Sequence, residues 1–299
     1  MAFRSLIIES PASVSTRNSQ LIIRTDREYS AAIEDLCAVL LESQQSNITT
    51  AALSQLGRRG CAVFICDEKH MPCAVLTPYQ QHSRALSVLK CQIEVTEPVK
   101  KRLWQAVVKA KICNQSRCLA LAELREEADY LTALGKRVRS GDPDNVEATA
   151  AQLYFPALFG SGFTRDDENG INAGLNYGYA ILRGCVARTL SVYGFQTALG
   201  IHHRSSLNSF NLADDLMEPY RPVIDQLVFR SMSQNDVLCP VSKRSLFNCL
   251  NLDVLSGGQH HSVAYAIERT VKSFSAVLSK KSTDLILPEL LPTVPHRYE

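Results

Sequence analysis

The chain lacks the short motifs used by nucleotide-hydrolysing enzymes and by serine hydrolases. Neither GxxxxGK[ST] nor GxGxxG occurs in its 299 residues, and GxSxG is absent as well. The first two motifs supply backbone amides that surround a nucleotide's phosphates, and the third exposes a nucleophilic serine on a sharp turn. Their absence argues against nucleotide hydrolysis and against serine-hydrolase chemistry.

Long hydrophobic runs are also absent. No apolar segment approaches the ~20 residues that a membrane-spanning helix needs, and the opening MAFRSLIIE has no apolar signal-peptide segment. With 45% hydrophobic and 21% charged residues, the composition is that of an ordinary globular protein. We therefore expect a cytoplasmic protein that does not interact with a membrane.

Cysteine is plentiful, with ten residues, but no CxxC pair occurs. Several cysteines lie in apolar runs such as Ala62–Cys66, where a reduced thiol behaves as a small hydrophobic side chain. We expect the ten to be core residues rather than disulfides or zinc ligands.

The positive charge is unevenly distributed, although the formal net charge is only +2. Residues 84–139 contain twelve Lys or Arg against six Asp or Glu, which is a local excess of six positive charges. A basic face of this kind can neutralise DNA phosphates without reading sequence; a solvated helix face is the alternative. The candidates for DNA contact are Arg84, Lys100, Lys101, Arg102 and Trp104.

Two periodicities divide the chain. Before about residue 80, short β-rich runs alternate with turn residues, and beyond Ser83 apolar residues recur at helical spacing. The sequence therefore predicts an α+β protein, with an N-terminal β-domain at 1–82 and a larger all-helical domain at 83–285. The tail at 286–299 is too rich in proline for one helix, so it either packs on a neighbour or is disordered.

The element bounds expected from these patterns are approximate. The expected strands are 5–9, 20–25, 38–42, 61–66 and 74–76. The expected helices are 50–60, 95–134 with a break near Asn114, 145–158, 172–197, 212–233, 242–250 and 260–280, the last opened by His260 and His261 with no ligand role.

One short segment combines imidazole and carboxylate side chains. His202 and His203 precede Asp214, Asp215 and Glu218, and the last two acids lie three residues apart, on one face of a helix. Glu147, about fifty residues upstream, follows a Pro/Asp/Asn helix-start signal. One imidazole with two or three carboxylates suits a hard divalent cation such as Mg²⁺ or Mn²⁺ better than structural zinc.

These segments resemble the CRISPR-associated adaptation integrases, in the version found in type II systems. The resemblance rests on Glu147 within 145–155 (NVEATAAQLYF), on 171–179 (INAGLNYGY), and on His203 fifteen residues before Glu218. It implies that Glu147, His203 and Glu218 are the catalytic metal ligands. It also implies an N-terminal β-sandwich-like domain that dimerises, and a helical domain that carries the active site.

Several assignments stay open at the level of sequence. His202 and His203 compete for one role, and Asp214 and Asp215 for another; the resemblance favours His203 and Asp215 by their register. Asp215 or Asn208 is the candidate partner that orients the His203 ring. His202 faces solvent or contacts DNA.

Arg221 has two candidate roles. It either clamps a phosphate or pairs with a nearby acid such as Asp225. The sequence favours neither role.

The resemblance implies a metal-dependent DNA endonuclease and integrase that inserts prespacer DNA into a CRISPR array by 3′-hydroxyl attack on a phosphodiester. It further implies a homodimer, a small ferredoxin-like adaptation protein as partner, and other type II CRISPR proteins. Two alternatives remain: a stand-alone metal-dependent nuclease acting on branched DNA, and a non-catalytic DNA-binding scaffold.

Overall fold

The structure is a computed structural model that describes residues 4–78 and 82–297. Eight strands, one α-helix and one short 3₁₀ helix, Ile33–Asp35, occupy the first described range. The strands and the α-helix are β1 Arg4–Ile8, β2 Ser13–Arg17, β3 Gln20–Arg24, β4 Glu28–Ala32, β5 Leu36–Leu41, β6 Asn47–Ile48, α1 Thr50–Arg59, β7 Ala62–Cys66 and β8 Pro72–Leu76.

These strands form two four-stranded sheets that share one core. The first sheet has the order β1-β5-β7-β8, and the second has the order β4-β3-β2-β6. Val14 and Leu21 of the second sheet pack with Val39 and Val63 of the first, and Leu56 of α1 joins them. Strands β2 and β4 were absent from the sequence expectation, because SVSTR and EYSAA contain too few apolar side chains to indicate a strand.

The first sheet also faces the rest of the molecule. Leu40 and Phe64, on the opposite face from Val39 and Val63, belong to the large core formed with the helices. Burial on both faces explains why β5 and β7 read as continuous apolar runs rather than as alternating ones. A side chain at Gly184 would clash with Phe64, since an added Cβ would lie 2.2 Å from its ring. The sheet and a central helix therefore pack at close range.

The second described range is mainly helical, which confirms the mixed α+β class. Its helices are α2 Ala85–Glu94, α3 Glu97–Leu121, α4 Arg125–Lys136, α5 Val146–Phe159, α6 Gly170–Val192, α7 Asn211–Met217, α8 Arg221–Ser231, α9 Pro240–Phe247 and α10 Val263–Leu278.

The expected break near Asn114 is wrong, because α3 continues through it to Leu121. Asparagine disfavours helices when its side chain competes for backbone groups, but here the amide is buried and used elsewhere. It donates to the carbonyls of Pro219 and Pro288, at 2.8 and 3.0 Å, and accepts from the amide of Leu290 at 2.9 Å. Asn114 thus ties α3 to the segment after α7 and to the chain's C-terminal strand.

The prediction of an all-helical second domain is also wrong. Strands β9 Leu252–Ser256, β10 Gln259–Ser262 and β11 Pro288–Pro295 form a sheet in the order β10-β9-β11. The tail is therefore part of a sheet within its own chain. Its prolines are tolerated because β11 is an edge strand, where a missing N–H leaves no ladder bond unmade.

His260 and His261 lie in β10 and do not open a helix. The two residues between β9 and β10, Gly257 and Gly258, have φ angles of 59° and 75°. That conformation at both central positions is required by the tight hairpin turn that joins antiparallel strands. The two glycines are therefore a hairpin signal that the sequence interpretation missed.

The segment expected as one helix at 212–233 is two helices joined by a turn. Glu218–Tyr220 forms a single 3₁₀ turn between α7 and α8, with Pro219 in it and Pro222 in the first turn of α8. Proline removes a backbone donor, so the chain tightens into this turn where the two prolines lie. The turn places Glu218 inside the protein, where it is 5% exposed.

All ten cysteine thiols are free, but they are not all core residues. Five are buried, whereas Cys73, Cys113 and Cys239 are exposed. Within the ranges 4–78 and 82–297, no helix is both long and apolar enough to cross a bilayer.

Asp225, at the centre of the helical core, is a buried carboxylate held by two tyrosines. Tyr154 donates to it at 3.0 Å and Tyr179 donates to its other oxygen. Burial raises the pKa of Asp225 to about 6, even though both hydrogen bonds act in the opposite direction. Arg221 does pair with a nearby acid, which was one of its two candidate roles, but that acid is Glu218, whose Oε1 lies 2.9 Å from Arg221 Nε, and not Asp225.

We expect Asp225→Asn to change how stability depends on pH. The folded-state pKa of about 6 lies above the ordinary value of 3.8, so the contribution of Asp225 is complete below 3.8 and is lost as pH rises through 6. Between about pH 4.5 and about pH 7.5 the wild type should lose roughly 2 kcal/mol relative to the variant. Urea unfolding at both pH values measures this; a constant difference between the two proteins would refute it.

Candidate active site

Lys111 lies at the centre of the candidate site, between two glutamates. Its ammonium is 2.5 Å from Glu147 Oε1 and 2.5 Å from Glu218 Oε2. The contact to Glu147 is a hydrogen bond, whereas the contact to Glu218 is an ion pair without hydrogen-bond geometry. Side chains from α3, from α5 and from the turn before α8 therefore meet at one cation.

Glu147 is presented by the first turn of α5. Asp142 starts that helix, because its two carboxylate oxygens accept the amides of Val146 and Glu147, each at 3.0 Å. Those amides would otherwise lack partners at the helix start. Asn145 lies in the left-handed region at φ 51° and makes no capping bond. Asp142 thereby sets the direction in which Glu147 projects.

Glu218 has a cation on each of its oxygens. Arg221 Nε donates to Oε1 at 2.9 Å, and Lys111 lies against Oε2. Burial alone would raise the pKa of Glu218, but attraction to Arg221 and Lys111 outweighs it and lowers the pKa to about 2. Burial alone would lower the pKa of Lys111, but attraction to Glu218 and Glu147 outweighs it, so the pKa is raised. Glu218, Lys111 and Arg221 are therefore charged at neutral pH.

The structure separates the two candidate doublets. Asp215 is fully buried, and its carboxylate accepts the backbone amides of Ile201, His202 and His203 together with His203 Nδ1 at 2.7 Å. Asp214 instead bonds Arg183 and Asn208. Of the two proposed orienting partners for His203, Asp215 makes the contact, and Asn208 lies with the Arg183 group.

The bond to Asp215 fixes the chemistry of the His203 ring. A carboxylate that accepts from Nδ1–H leaves the lone pair of the neutral ring on Nε2, the usual arrangement of a metal-binding histidine. The same hydrogen bond raises the pKa of His203. Gly200 permits the tight turn around the carboxylate, since an added Cβ there would lie 2.4 Å from the His203 carbonyl and 2.7 Å from Asp215 Oδ2.

His202 packs against the face of Trp104. Its ring stacks on the indole with centroids 4.0 Å apart and planes 1° apart. Burial lowers the pKa of His202, and Trp104 itself is 1% exposed. The prediction that Trp104 contacts DNA is therefore wrong, because its ring is part of the core and supports the histidine loop.

A cleft of about 450 Å³ opens beside this site, and three arginines line it together with His203. Arg221 bonds Glu218 and Arg183 bonds Asp214. Arg165 bonds the amide oxygens of Asn172 and Asn176, which are neutral. Its charge is therefore not cancelled by these partners, so the cleft wall is attractive to an anion.

The basic residues that the sequence offered as DNA contacts differ in their exposure to solvent. Arg84, Lys101 and Arg102 are exposed. The Lys100 ammonium is 3.6 Å from Glu97, and its side chain is only 21% exposed.

Sequence reasoning did not single out Lys111, Arg165 or Arg183. For Lys111 a signal existed, because it is a cation on the same helical face as the buried Val107, Val108 and Gln115.

Among the residues that the structure describes, no three His, Cys, Asp or Glu side chains are grouped closely enough to hold a metal ion. Glu147 and Glu218 nevertheless converge on a cation, and His203 offers a nitrogen from a ring that Asp215 orients. These are donors that Mg²⁺ and Mn²⁺ accept. The donor set fits a divalent ion, provided that Lys111 moves.

The fold and the site define a class: a mixed α+β protein with carboxylates and an imidazole beside an arginine-lined cleft, an arrangement suited to phosphate chemistry. Residues 6–238 match the family described as CRISPR associated protein Cas1. A protein named CRISPR-associated endonuclease Cas1 from Neisseria meningitidis serogroup C (strain 8013) is 43% identical over 304 residues, covering 100% of each chain. The chain belongs to the Cas1 family.

Solved structures agree on the fold. A casposase bound to integration product aligns with a TM-score of 0.77 at 21% identity, over 94% of this chain and 92% of the other. A chain of a complex described as Cas6-RT-Cas1–Cas2 aligns with a TM-score of 0.70 at 18% identity, over 96% of this chain and 36% of that one. At these identities the likeness concerns the fold alone.

Proposed function

We propose that this protein is a divalent-metal-dependent DNA endonuclease and integrase that inserts prespacer DNA into a CRISPR array. The convergence of Glu147 and Glu218 on one cation, beside His203, carries the proposal. The relative with 43% identity is named a CRISPR-associated endonuclease, which supports the same activity.

The reaction exchanges one phosphodiester for another. The 3′-hydroxyl oxygen of the prespacer bonds to a phosphorus at the repeat end, the bond from that phosphorus to the departing 3′-oxygen breaks, and the proton passes from one hydroxyl to the other. No ATP is required, since the number of phosphodiester bonds does not change. Most of the rate enhancement then comes from positioning and from neutralising charge.

Each site residue has a role in this scheme. Glu147, His203 and Glu218 would hold Mg²⁺ or Mn²⁺, which would supply a charge that polarises phosphoryl oxygens and stabilises the departing oxygen. Asp215 keeps the lone pair of His203 on Nε2, as its bond to Nδ1 requires. Arg165, Arg183 and Arg221 line the cleft and supply positive charge for the DNA phosphates.

The proposed assembly follows from the relatives. A structural neighbour is described as a complex with Cas2, which supports a small ferredoxin-like adaptation protein as partner. Dimerisation through the N-terminal sheets, and contact with other type II CRISPR proteins, are further parts of the proposal.

A plasmid integration assay tests the activity directly. The purified protein and its small partner are mixed with a prespacer bearing a 3′-hydroxyl, a supercoiled plasmid carrying the repeat, and Mn²⁺. We expect prespacer joined covalently to the plasmid. Cleavage of branched DNA without joining would favour a stand-alone nuclease. Binding of DNA with neither reaction would favour a scaffold, and this scaffold would bind DNA unchanged when Glu218 is replaced.

DNA affinity should fall steeply with salt and depend little on sequence. We expect neutralising Lys100, Lys101 and Arg102 together to flatten the plot of log affinity against log salt, by up to about 0.9 per lost phosphate contact. Fluorescence anisotropy over a range of NaCl concentrations measures this slope.

The matched control removes Arg17, Arg24 and Arg27, three exposed cations on the N-terminal strands and their turn. It should leave the slope unchanged. An unchanged slope in the first variant would mean that the DNA path lies elsewhere and that Lys100–Arg102 is a solvated helix face.

A further inference from the structure

We infer that Lys111 is an internal counter-cation that a divalent metal must displace, and that it thereby limits how tightly the site binds metal. The inference rests on the proposed function, because it takes Glu147 and Glu218 as metal ligands. It concerns a residue that no motif in the sequence pointed to.

The contacts of Lys111 carry the first step. The ammonium is 2.5 Å from one oxygen of each glutamate, so it contacts both directly, through a charge-assisted hydrogen bond to Glu147 and an ion pair with Glu218. Its side chain is only 12% exposed, and those of Glu147 and Glu218 are 22% and 5% exposed. The lysine therefore lies between the two carboxylates and does not extend past them into solvent.

The position of Arg221 shows why Lys111, and not the arginine, would be displaced. Arg221 Nε donates to Glu218 Oε1, while its guanidinium carbon lies 4.5 Å from the centre of the Tyr179 ring. The guanidinium of Arg221 is therefore held both by its hydrogen bond to Glu218 and by its stacking on Tyr179. Lys111 has a flexible stem and contacts the oxygens that face each other across the site. A metal ion held by Glu147 and Glu218 would need the space that this ammonium occupies.

Charge sets the direction of the effect. Glu147 and Glu218 carry two negative charges, and Lys111 and Arg221 carry two positive ones, so the four groups sum to zero. A divalent ion approaching this set gains little long-range attraction and is repelled by the nearby ammonium. Without the ammonium the sum is one negative charge. Removing the charge of Lys111 should therefore tighten metal binding.

The opposite role for Lys111 makes the opposite prediction. If the lysine were a permanent support that held the carboxylates in position for the metal, its removal would let the glutamates separate and would weaken binding. The two roles thus differ in the sign of one measured quantity, the dissociation constant for Mn²⁺.

Isothermal titration of the full-length protein with MnCl₂ is the test, applied to the wild type and to Lys111→Met, Lys111→Arg and Lys109→Met. We expect Lys111→Met to bind Mn²⁺ on the order of tenfold more tightly, and Lys111→Arg to stay within a few-fold of the wild type because it keeps the charge. Lys109→Met removes the same charge from an exposed position on the same helix and should leave affinity unchanged.

Thermal unfolding gives a second measurement that does not depend on activity. Without metal, Lys111→Met should have a lower Tm than the wild type, because two carboxylates lose a shared counter-ion. Mn²⁺ should raise its Tm by more than it raises that of the wild type, since tighter binding to the folded state stabilises it further. If Lys111→Met does not fold, Lys111→Gln removes the charge while keeping a polar group, and the same two measurements apply.

The outcomes separate this inference from the function on which it rests. Binding of Mn²⁺ by the wild type, with equal or weaker binding by the uncharged variants, would overturn the role of Lys111 and leave the metal site standing. A wild type that binds no Mn²⁺, together with variants that bind none, would instead overturn the metal site itself.

Discussion

His203→Ala is expected to abolish strand transfer, with a loss on the order of 10³-fold or more. The ring is held by Asp215 through Nδ1, so the variant removes Nε2, the nitrogen that the proposed function assigns to the metal. Glu147→Ala and Glu218→Ala should have effects of the same size. The integration assay measures all three, with circular dichroism to check that each variant is folded.

The neighbouring histidine provides a matched control. His202→Ala removes an imidazole one residue away, but that ring stacks on Trp104, so strand transfer should stay within a few-fold of the wild type. An active His203→Ala protein together with an inactive His202→Ala protein would reverse the assignment of the two histidines.

The combined variants test whether the three residues act as one unit. A site that has lost one ligand is already inactive, so the double variant Glu147→Ala/Glu218→Ala should be no worse than either single one. DNA binding should persist in all of them. Losses that multiply would indicate that the glutamates act in separate steps.

Site residues that lie close together in the sequence could be predicted from it, whereas contacts between distant segments could not. His203, Asp215 and Glu218 lie within sixteen residues, and their spacing together with the family resemblance was sufficient to select them as candidates. The choice of Asp215 over Asp214 rested on the family register alone, because residue spacing does not show which carboxylate turns inward against residues 201–203. The packed structure shows that it is Asp215.

Lys111 shows more clearly what a local sequence pattern cannot predict. In the sequence it is one of twelve cations in residues 84–139, and helical spacing places it on the buried face with Val107 and Gln115. That position makes it unusual but does not reveal its partners, which come from α5 and from the turn after α7. Long-range pairing of this kind cannot be read from a local pattern.

The errors in the fold have the same origin. The prolines of the tail correctly excluded a helix, but an edge strand was not considered, because its partner β9 lies more than thirty residues upstream. Asn114 suggested a helix break by its propensity, whereas three tertiary hydrogen bonds allow the helix to continue. In both places tertiary contacts outweighed a local preference.

EDTA is expected to stop strand transfer completely, and added Mn²⁺ or Mg²⁺ is expected to restore it. Glu147 and Glu218 offer hard carboxylate oxygens and His203 offers one imidazole nitrogen, so positions stay open for water and phosphate oxygens. Zinc would bind the same donors, but its preference for four ligands leaves too few positions for the phosphate that is being transferred. The test compares strand transfer under three conditions: in EDTA, in EDTA followed by excess Mn²⁺, and in EDTA followed by excess Zn²⁺.

Chelation should leave the protein folded, and Lys111 and Arg221 give the physical reason. Without metal, both oxygens of Glu218 still contact a cation, so the buried carboxylate is not left uncompensated. Circular dichroism and Tm in EDTA should therefore match those of the untreated protein to within a few degrees. Full strand transfer in EDTA would refute the metal mechanism. Unfolding on chelation would show that the ion is structural, and it would return the DNA-binding scaffold to consideration.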